Sequence, residues 1–324
     1  MSYREFGGFF GLEARRSGSL HAAAKAFSTA SGALGHFLRS LGDSSSIETI
    51  WMPGFLCPRV ETAIAQAAPK IMIQRYRLRQ DLDPFGCDCG PRDLFYSYNV
   101  FGLKGAVTQS LPGNTIVDNA HAFFQPPGSN RATFYSARKF FGVPDGAYLY
   151  CEDPIDVPPP LSSHRCDHLL RRIELGPQAA YDDFLAAERE LEAMPPMGMS
   201  ALARHVLDGI DYDSVRRSRL ANFGFLHHAL GPGNELAEVI DLALSDPHFV
   251  PFSYPFLSAE IIDLRRTLIA RRIYVPHLWQ GLSSRPELTE FERHLADDTA
   301  HFPIDQRYRV ADMDEMLSQA GFRV

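Results

Sequence analysis

The sequence predicts an α/β protein in which a mostly parallel sheet builds a large N-terminal domain and a small α/β domain follows it. Three observations carry this expectation. Six short apolar or β-branched runs, at residues 47–52, 70–76, 94–98, 115–117, 132–135 and 147–150, alternate with helical or loop segments, the pattern of strands joined by crossovers. Proline, glycine and methionine gather near residues 154–160 and again in Met194-Pro195-Pro196-Met197-Gly198-Met199, where a loop or linker is expected. Helical periodicity dominates beyond that point, which divides the chain into residues 1–212 and 213–324. With 324 residues, 45% of them hydrophobic and 22% charged, the chain has apolar mass for a sizeable core.

In chain order, residues 20–27 (Leu20 to Phe27, rich in alanine) read as a helix, broken at Ser28-Thr29-Ala30-Ser31-Gly32. A second helix starts there, because an apolar pattern at helical spacing resumes at Ala33 and small hydroxyl residues stand in the cap position. Its first turn would present free backbone N–H groups and a positive dipole end, suited to a phosphate, although on this segment alone an ordinary capped helix is the favoured reading. Residues 58–68 form a helix between the first two strands, and the links around residues 104–112 are short. In the C-terminal domain residues 213–230, 258–272 and 312–320 read as helices, with strand-like pieces at 249–254 and 272–276.

Subtracting 39 acidic from 32 basic side chains gives a charge of −7, which argues against a partner that is a nucleic acid. The start Met1 to Phe10 lacks a basic stretch followed by an apolar run, and no run of ~18 apolar residues occurs, so the expectation is a cytoplasmic protein with no membrane partner. Five cysteines at irregular spacing suit reduced thiols rather than a disulfide framework. His164-Arg165-Cys166-Asp167-His168 offers three ligand types but no second pair, so surface residues at a helix start are favoured over zinc and no metal is expected. Neither Gly-x-Gly-x-x-Gly after a strand nor Gly-x4-Gly-Lys-Ser/Thr occurs.

Chemistry concentrates at the carboxyl ends of two strands, where open α/β sheets collect their ligands. Thr115-Ile116-Val117-Asp118 ends in an acid and continues as Asn119-Ala120-His121; Thr133-Phe134-Tyr135-Ser136 is followed by Ala137-Arg138-Lys139. Of the four lysines, Lys25, Lys70, Lys104 and Lys139, only Lys139 follows a strand with a hydroxyl three residues earlier and aromatic neighbours. A lysine partly desolvated by Phe134, Phe140 and Phe141 would have a lowered pKa and a free amine able to form a Schiff base. Asp118 would hold a pyridine nitrogen protonated, and the helix start at Ala30 and Ser31 would take a phosphate. The plainer alternative is an acid that caps the next helix and a buried lysine that pairs with it.

Val117-Asp118-Asn119-Ala120-His121-Ala122 resembles the acid-x-Ala-His/Gln block of fold-type I pyridoxal phosphate enzymes, the DegT/StrS sugar-aminotransferase family in particular. Ser136-Ala137-Arg138-Lys139-Phe140-Phe141-Gly142 and Gly146 are similar to that superfamily's lysine segment. Thr29 to Leu34, Trp51 to Pro58 and Phe101-Gly102 match in the same order, as do Tyr254-Pro255, Ile273 to Trp279 and Phe302 to Tyr308, more loosely. The resemblance implies a fold-type I PLP-transferase-like domain and pyridoxal 5'-phosphate as cofactor. It gives Lys139 the roles of covalent anchor and base, sets Asp118 on the ring nitrogen and His121 beside the ring and its 3-oxygen, and assigns Ala30, Ser31 and Ser136 to the phosphate. Phe55 would pack on the ring, although ungapped comparison puts Cys57 nearer the stacking position. The implied activity is an aminotransferase that moves an amino group from an amino acid to a nucleotide-linked keto sugar, working as a homodimer. The family's cross-subunit asparagine block is replaced by Pro196-Met197-Gly198-Met199-Ser200-Ala201, and no arginine for a substrate carboxylate is evident. A PLP-dependent lyase or dehydratase, and a non-catalytic interaction protein on the same scaffold, are the alternatives; retained Lys139 argues against those dehydratases that replace the lysine by histidine.

Overall fold

Strand propensity in the six short runs is realised as the middle of an eight-stranded sheet. The computed structural model describes residues 12, 17–42, 46–109, 111, 113–161, 166–259 and 263–322. Its first part contains β1 (Lys25–Phe27), α1 (Ala30–Leu41), β2 (Thr49–Pro53), α2 (Pro58–Ala67), β3 (Met72–Leu78), β4 (Pro84–Phe85), β5 (Asp93–Tyr98), α3 (Gly105–Thr108), β6 (Thr115–Asp118), β7 (Ala132–Ser136) and β8 (Ala147–Cys151). Then come α4 (Asp167–Ala179), α5 (Tyr181–Ala193), α6 (Ala201–Asp208), α7 (Tyr212–Leu230), α8 (Ala237–Leu244), β9 (Tyr254–Phe256), α9 (Leu264–Ala270), α10 (Glu290–Asp298), β10 (Ala300–Phe302) and α11 (Val310–Ala320).

The large sheet runs β1-β8-β7-β6-β5-β2-β3-β4, and β9 pairs with β10 in a separate antiparallel ribbon. Its centre is parallel, through β3–β2, β2–β5, β5–β6 and β6–β7, and its flanks are antiparallel, through β3–β4, β7–β8 and β8–β1. The sheet is thus mixed, with a parallel centre. All four residues of β6 are buried, as a parallel strand covered on both faces requires. From β2 the chain steps one way to β3 and then returns past β2 to β5, so the strand order reverses between β2 and β5. A crevice outside the carboxyl ends of the strands forms at such a reversal.

Residues 20–27 are not helical. The chain turns at residues 20–23 and pairs as β1 with β8, because buried His21 wedges among Phe123, Tyr135 and Tyr148 and bonds the Phe123 carbonyl through Nε2 at 2.8 Å. Sheet pairing and this anchor outweigh alanine's helix propensity, which is worth only tenths of a kcal/mol per residue. The proline-methionine segment is not a free linker either. The Ser28 N–H donates to Met197 O at 2.9 Å and the Met199 N–H to Ala26 O at 3.2 Å, which covers the β1 edge. No strand forms at residues 272–276; Ile273 and Val275 alternate because both enter the core from a loop. Of the strand expected at 249–254 only Tyr254 pairs, as the first residue of β9, and the helix expected at 258–272 is confined to α9, with 260–262 outside the described residues.

One apolar cluster runs from the sheet (Phe27, Ile50, Leu94, Ile116) into the C-terminal elements (Phe223, Leu268, Leu295, Leu317). At that junction lies Arg219 of α7, 1% exposed. Its guanidinium donates to the carbonyls of Pro251, Phe252 and Phe140 and to Gln306 Oε1, each at 3.0 Å, and it faces the Phe140 ring at 4.6 Å. Burial lowers its pKa to about 10. Arg219→Met should therefore strand buried carbonyls and lower unfolding free energy in urea by about 3–5 kcal/mol, with Arg219→Lys recovering part of it. Wild-type stability in the methionine variant would show that those carbonyls find other donors.

Candidate active site

The strand-order reversal opens toward the residues after β2 and toward the ends of β5, β6 and β7. The register Tyr98↔Asp118↔Phe134 brings the last residues of β5 and β6 side by side. Asp118 is 4% exposed. Its Oδ2 accepts from the Tyr96 hydroxyl at 2.7 Å and its Oδ1 from the Ala120 N–H at 2.9 Å. Burial pushes the carboxyl up to about 6, against the pull of Ala120, Tyr96 and Lys139. The same burial, with Asp118 beside it, holds the Tyr96 hydroxyl firmly protonated.

Lys139 ends a short 3-10 turn directly after β7. The turn is pinned by Phe140 and Phe141, both buried in an aromatic cluster with Phe123 and Phe124. Lys139 keeps an accessible side chain, yet surrounding protein lowers its pKa, chiefly by desolvation; Cys57 and Asp118 oppose the shift, and Arg138 and Arg59 add to it. Such a side chain rises from the floor of an open recess. Among the described residues it makes no hydrogen bond or ion pair, whereas Lys104 is paired with Asp83 at 2.7 Å.

Two imidazoles complete the recess. His121 Nδ1 lies 2.8 Å from the Tyr98 hydroxyl, whose oxygen also accepts from the Phe101 N–H at 3.4 Å. In this bond the hydroxyl donates to the ring when Nε2 carries the proton and accepts when Nδ1 does. The ring stacks on Phe252 at 4.4 Å and lies parallel to Trp279 at 6.3 Å. His301 of β10 is bonded through Nδ1 to Ser253 Oγ at 2.9 Å and packs edge-on against Phe101 at 4.6 Å. Burial, with Lys139 nearby, keeps both rings neutral, His301 down at about 3. Gly102 (φ +80°) is required here: a Cβ would stand 2.3 Å from the His121 carbonyl oxygen.

The first turn of α1 is tied to the lysine turn through two backbone bonds. Gly146 N–H donates to Ser28 O at 2.7 Å and Ala137 N–H to Gly146 O at 3.0 Å, while Ser136 pairs with Ala147. Thr29 caps α1 by accepting from the Gly32 N–H at 3.0 Å, and Ala30 and Ser31 occupy the first two helical positions. The segment before α1 and the end of β7 are thus linked through Gly146. Arg138, whose pKa falls to about 10 through burial and the neighbouring Arg59, is ion-paired with Glu188 of α5, and Arg59 with Glu192 one turn further on. Phe55 is buried edge-on against Phe101 at 5.9 Å and Trp279 at 5.3 Å, the rings that border His301 and His121, while Cys57 at the start of α2 bears electrostatically on Lys139.

No family model matches the chain, and no curated protein matches it by sequence. Solved structures do. The sugar aminotransferase CalS13 from Micromonospora echinospora aligns over 92% of this chain and 86% of its own, at 14% identity and a TM-score of 0.60. DesV from S. venezuelae aligns over 93% and 85%, at 17% identity and 0.58, and the aminotransferase TlmJ from Streptoalloteichus hindustanus over 91% and 84%, at 16% and 0.58. The chain has the fold of these aminotransferases.

On that fold Asp118 and Ser136 end β6 and β7, and His121 and Lys139 follow them within three residues. Sequence reading missed Tyr96, Tyr98, Phe252, Trp279 and His301, whose only local signal is aromatic or imidazole character in apolar runs. Of the possible zinc ligands, His164 lies outside the described residues, and no three metal-ligating side chains cluster among those described. No described helix is long and apolar enough to cross a membrane.

Because the Asp118 carboxyl stands at about 6 in the folded chain against an ordinary 3.8, the folded state holds its proton more tightly than the unfolded one. The stability it contributes is therefore largest below pH 3.8 and declines as pH rises to about 6, by an amount on the order of 3 kcal/mol. Asp118→Asn should be more stable than wild type at pH 7.5 and lose that advantage at pH 4, by urea unfolding of the protein free of ligand. A difference independent of pH would remove the buried charge from the account.

Proposed function

We propose that the protein is a pyridoxal 5'-phosphate-dependent aminotransferase of the DegT/StrS kind, acting on a nucleotide-linked keto sugar with an amino acid as donor. The reading rests on one observation above the rest: an unpaired lysine rises at the end of β7, within electrostatic reach of a buried aspartate at the end of β6. The fold shared with CalS13 and DesV supports it, and the description of CalS13 as a sugar aminotransferase suggests the substrate class. The alternatives of a lyase or a non-catalytic protein lack a comparable observation.

The residues fit the cofactor. Asp118 is a buried carboxylate whose pKa burial raises, and a protonated ring nitrogen beside it would favour its charged form. Lys139, tilted toward its neutral form, provides a nucleophilic amine and, once released, a base for moving a proton. Neutral His121, fixed by Tyr98 and Phe252, presents its imidazole Nε2 to the ring's polar edge. Ser136, Ala30 and Ser31 offer hydroxyl and backbone donors to a phosphate at the positive end of α1. Arg138 is our candidate for the donor that replaces the missing asparagine. The bound cofactor supplies the electron sink that makes the substrate Cα–H acidic. We further assign residues 1–212 to cofactor binding and 213–324 to a small domain, and propose a cytoplasmic homodimer.

Borohydride reduction of the cofactor-loaded protein should fix a pyridoxyl group on Lys139, found by peptide mapping, with Lys139→Ala unlabelled. Labelling at Lys25, Lys70 or Lys104 would overturn the assignment.

The dimer has its own measurement. Fold-type I sites are built at two-fold interfaces, so sedimentation at micromolar concentration should give twice the chain mass, and a monomer that binds cofactor tightly would contradict a shared site.

A further inference from the structure

We propose that Cys87 and Cys89 form a dithiol–disulfide redox site that reacts with low-molecular-weight disulfides such as oxidised glutathione. The two residues stand on the turn between β4 and β5, flanked by Gly86 and Gly90, and Gly86 adopts φ +72°. Their sulfurs are 3.0 Å apart, about 1 Å beyond the covalent distance, so closing the bond needs only a small side-chain adjustment. Cys89 is exposed and Cys87 half-buried against the core, which makes one thiol accessible to an oxidant and the other the resolving partner. The far side of the turn is held in place: Asp93 accepts from the Gly90 N–H at 2.8 Å and from the Trp51 indole at 3.2 Å.

The other cysteines lie in different settings. Cys57 and Cys166 precede α2 and α4, and Cys151 sits 3.9 Å from Lys25 Nζ. A metal is the competing use of a thiol pair, but no third ligand joins Cys87 and Cys89 among the described residues. In the proposed step the Cys89 thiolate attacks the oxidant's S–S bond and expels one thiol; Cys87 then attacks the mixed disulfide and expels the second. Two S–H bonds and one S–S bond break, one S–S bond forms in the protein, and the two protons leave with the two released thiols. Burial and the neighbouring Asp88 and Asp93 raise both thiol pKa values, which slows the attack and makes both sulfurs poor leaving groups, so the disulfide persists once formed.

The test uses the full chain, purified reduced, equilibrated across glutathione redox buffers, quenched by alkylation and mapped by mass spectrometry. The peptide carrying Cys87 and Cys89 should pass from doubly alkylated to unalkylated and two hydrogens lighter, while Cys57, Cys151 and Cys166 stay alkylated. Cys87→Ser should stall as a glutathione adduct on Cys89 that outlives the wild-type adduct by at least about tenfold, since its resolving thiol is gone. Independent glutathione adducts on both cysteines of the wild type would overturn the proposal. So would two thiols that stay reduced in every buffer, or one equivalent of Zn2+ that blocks their alkylation.

Discussion

The position of the lysine turn depends on one buried cation. Arg219 bonds the Phe140 carbonyl, one residue past Lys139, and also the carbonyls of Pro251 and Phe252; Gln306 Nε2 bonds the same Phe140 oxygen at 3.0 Å. A guanidinium removed from water is costly. Here the cost is offset by charge-assisted hydrogen bonds, by the field of Asp305 and by the face of Phe140. The same cation sets the Pro251–Phe252 loop, and Phe252 in turn covers His121. Lys139 and His121 thus take their orientation from a residue that neither of them touches.

Charge balance in the recess follows from that rigidity. Lys139 and Asp118 are its opposed ionisable groups, and neither is fully solvated; His121 and His301 are held neutral beside them. Arg59 and Arg138 would add positive charge, but each is matched by a glutamate of α5. These arginine pairs are partly exposed, so each contributes little to stability. Their effect is on the local field, which would otherwise lower the Lys139 pKa further.

What was legible in the sequence was what is local. The six strand runs stand out because parallel strands buried on both faces are apolar throughout, and Asp118 and Lys139 stand out because a charge at the end of such a run has no packing reason to be there. Residues 20–27 misled because their alanines fit a helix, while the partner that makes them a strand, β8, lies more than a hundred residues away. Residues 194–199 are the irregular segment expected, yet proline and glycine mark irregular backbone without saying what it packs on. His301, Tyr96 and Arg219 were invisible for a related reason: each acts on groups far along the chain, and nothing near it in sequence marks it as more than core.

Register is the constraint that turns those separate runs into one site. Tyr96 and Tyr98 lie on the same face of β5, as residues two apart must, and with Tyr98 opposite Asp118 the Tyr96 hydroxyl reaches the carboxylate diagonally. A slip of one residue would send Asp118 to the opposite face of the sheet. Nothing at the site itself prevents that slip. The alternation of β5 does, because a slip would turn buried Leu94 onto the half-buried face shared by Asp93, Phe95 and Ser97. The apolar part of β5 therefore fixes where Tyr96 and Tyr98 stand, and through the first of them one of the two hydrogen bonds that the carboxylate accepts.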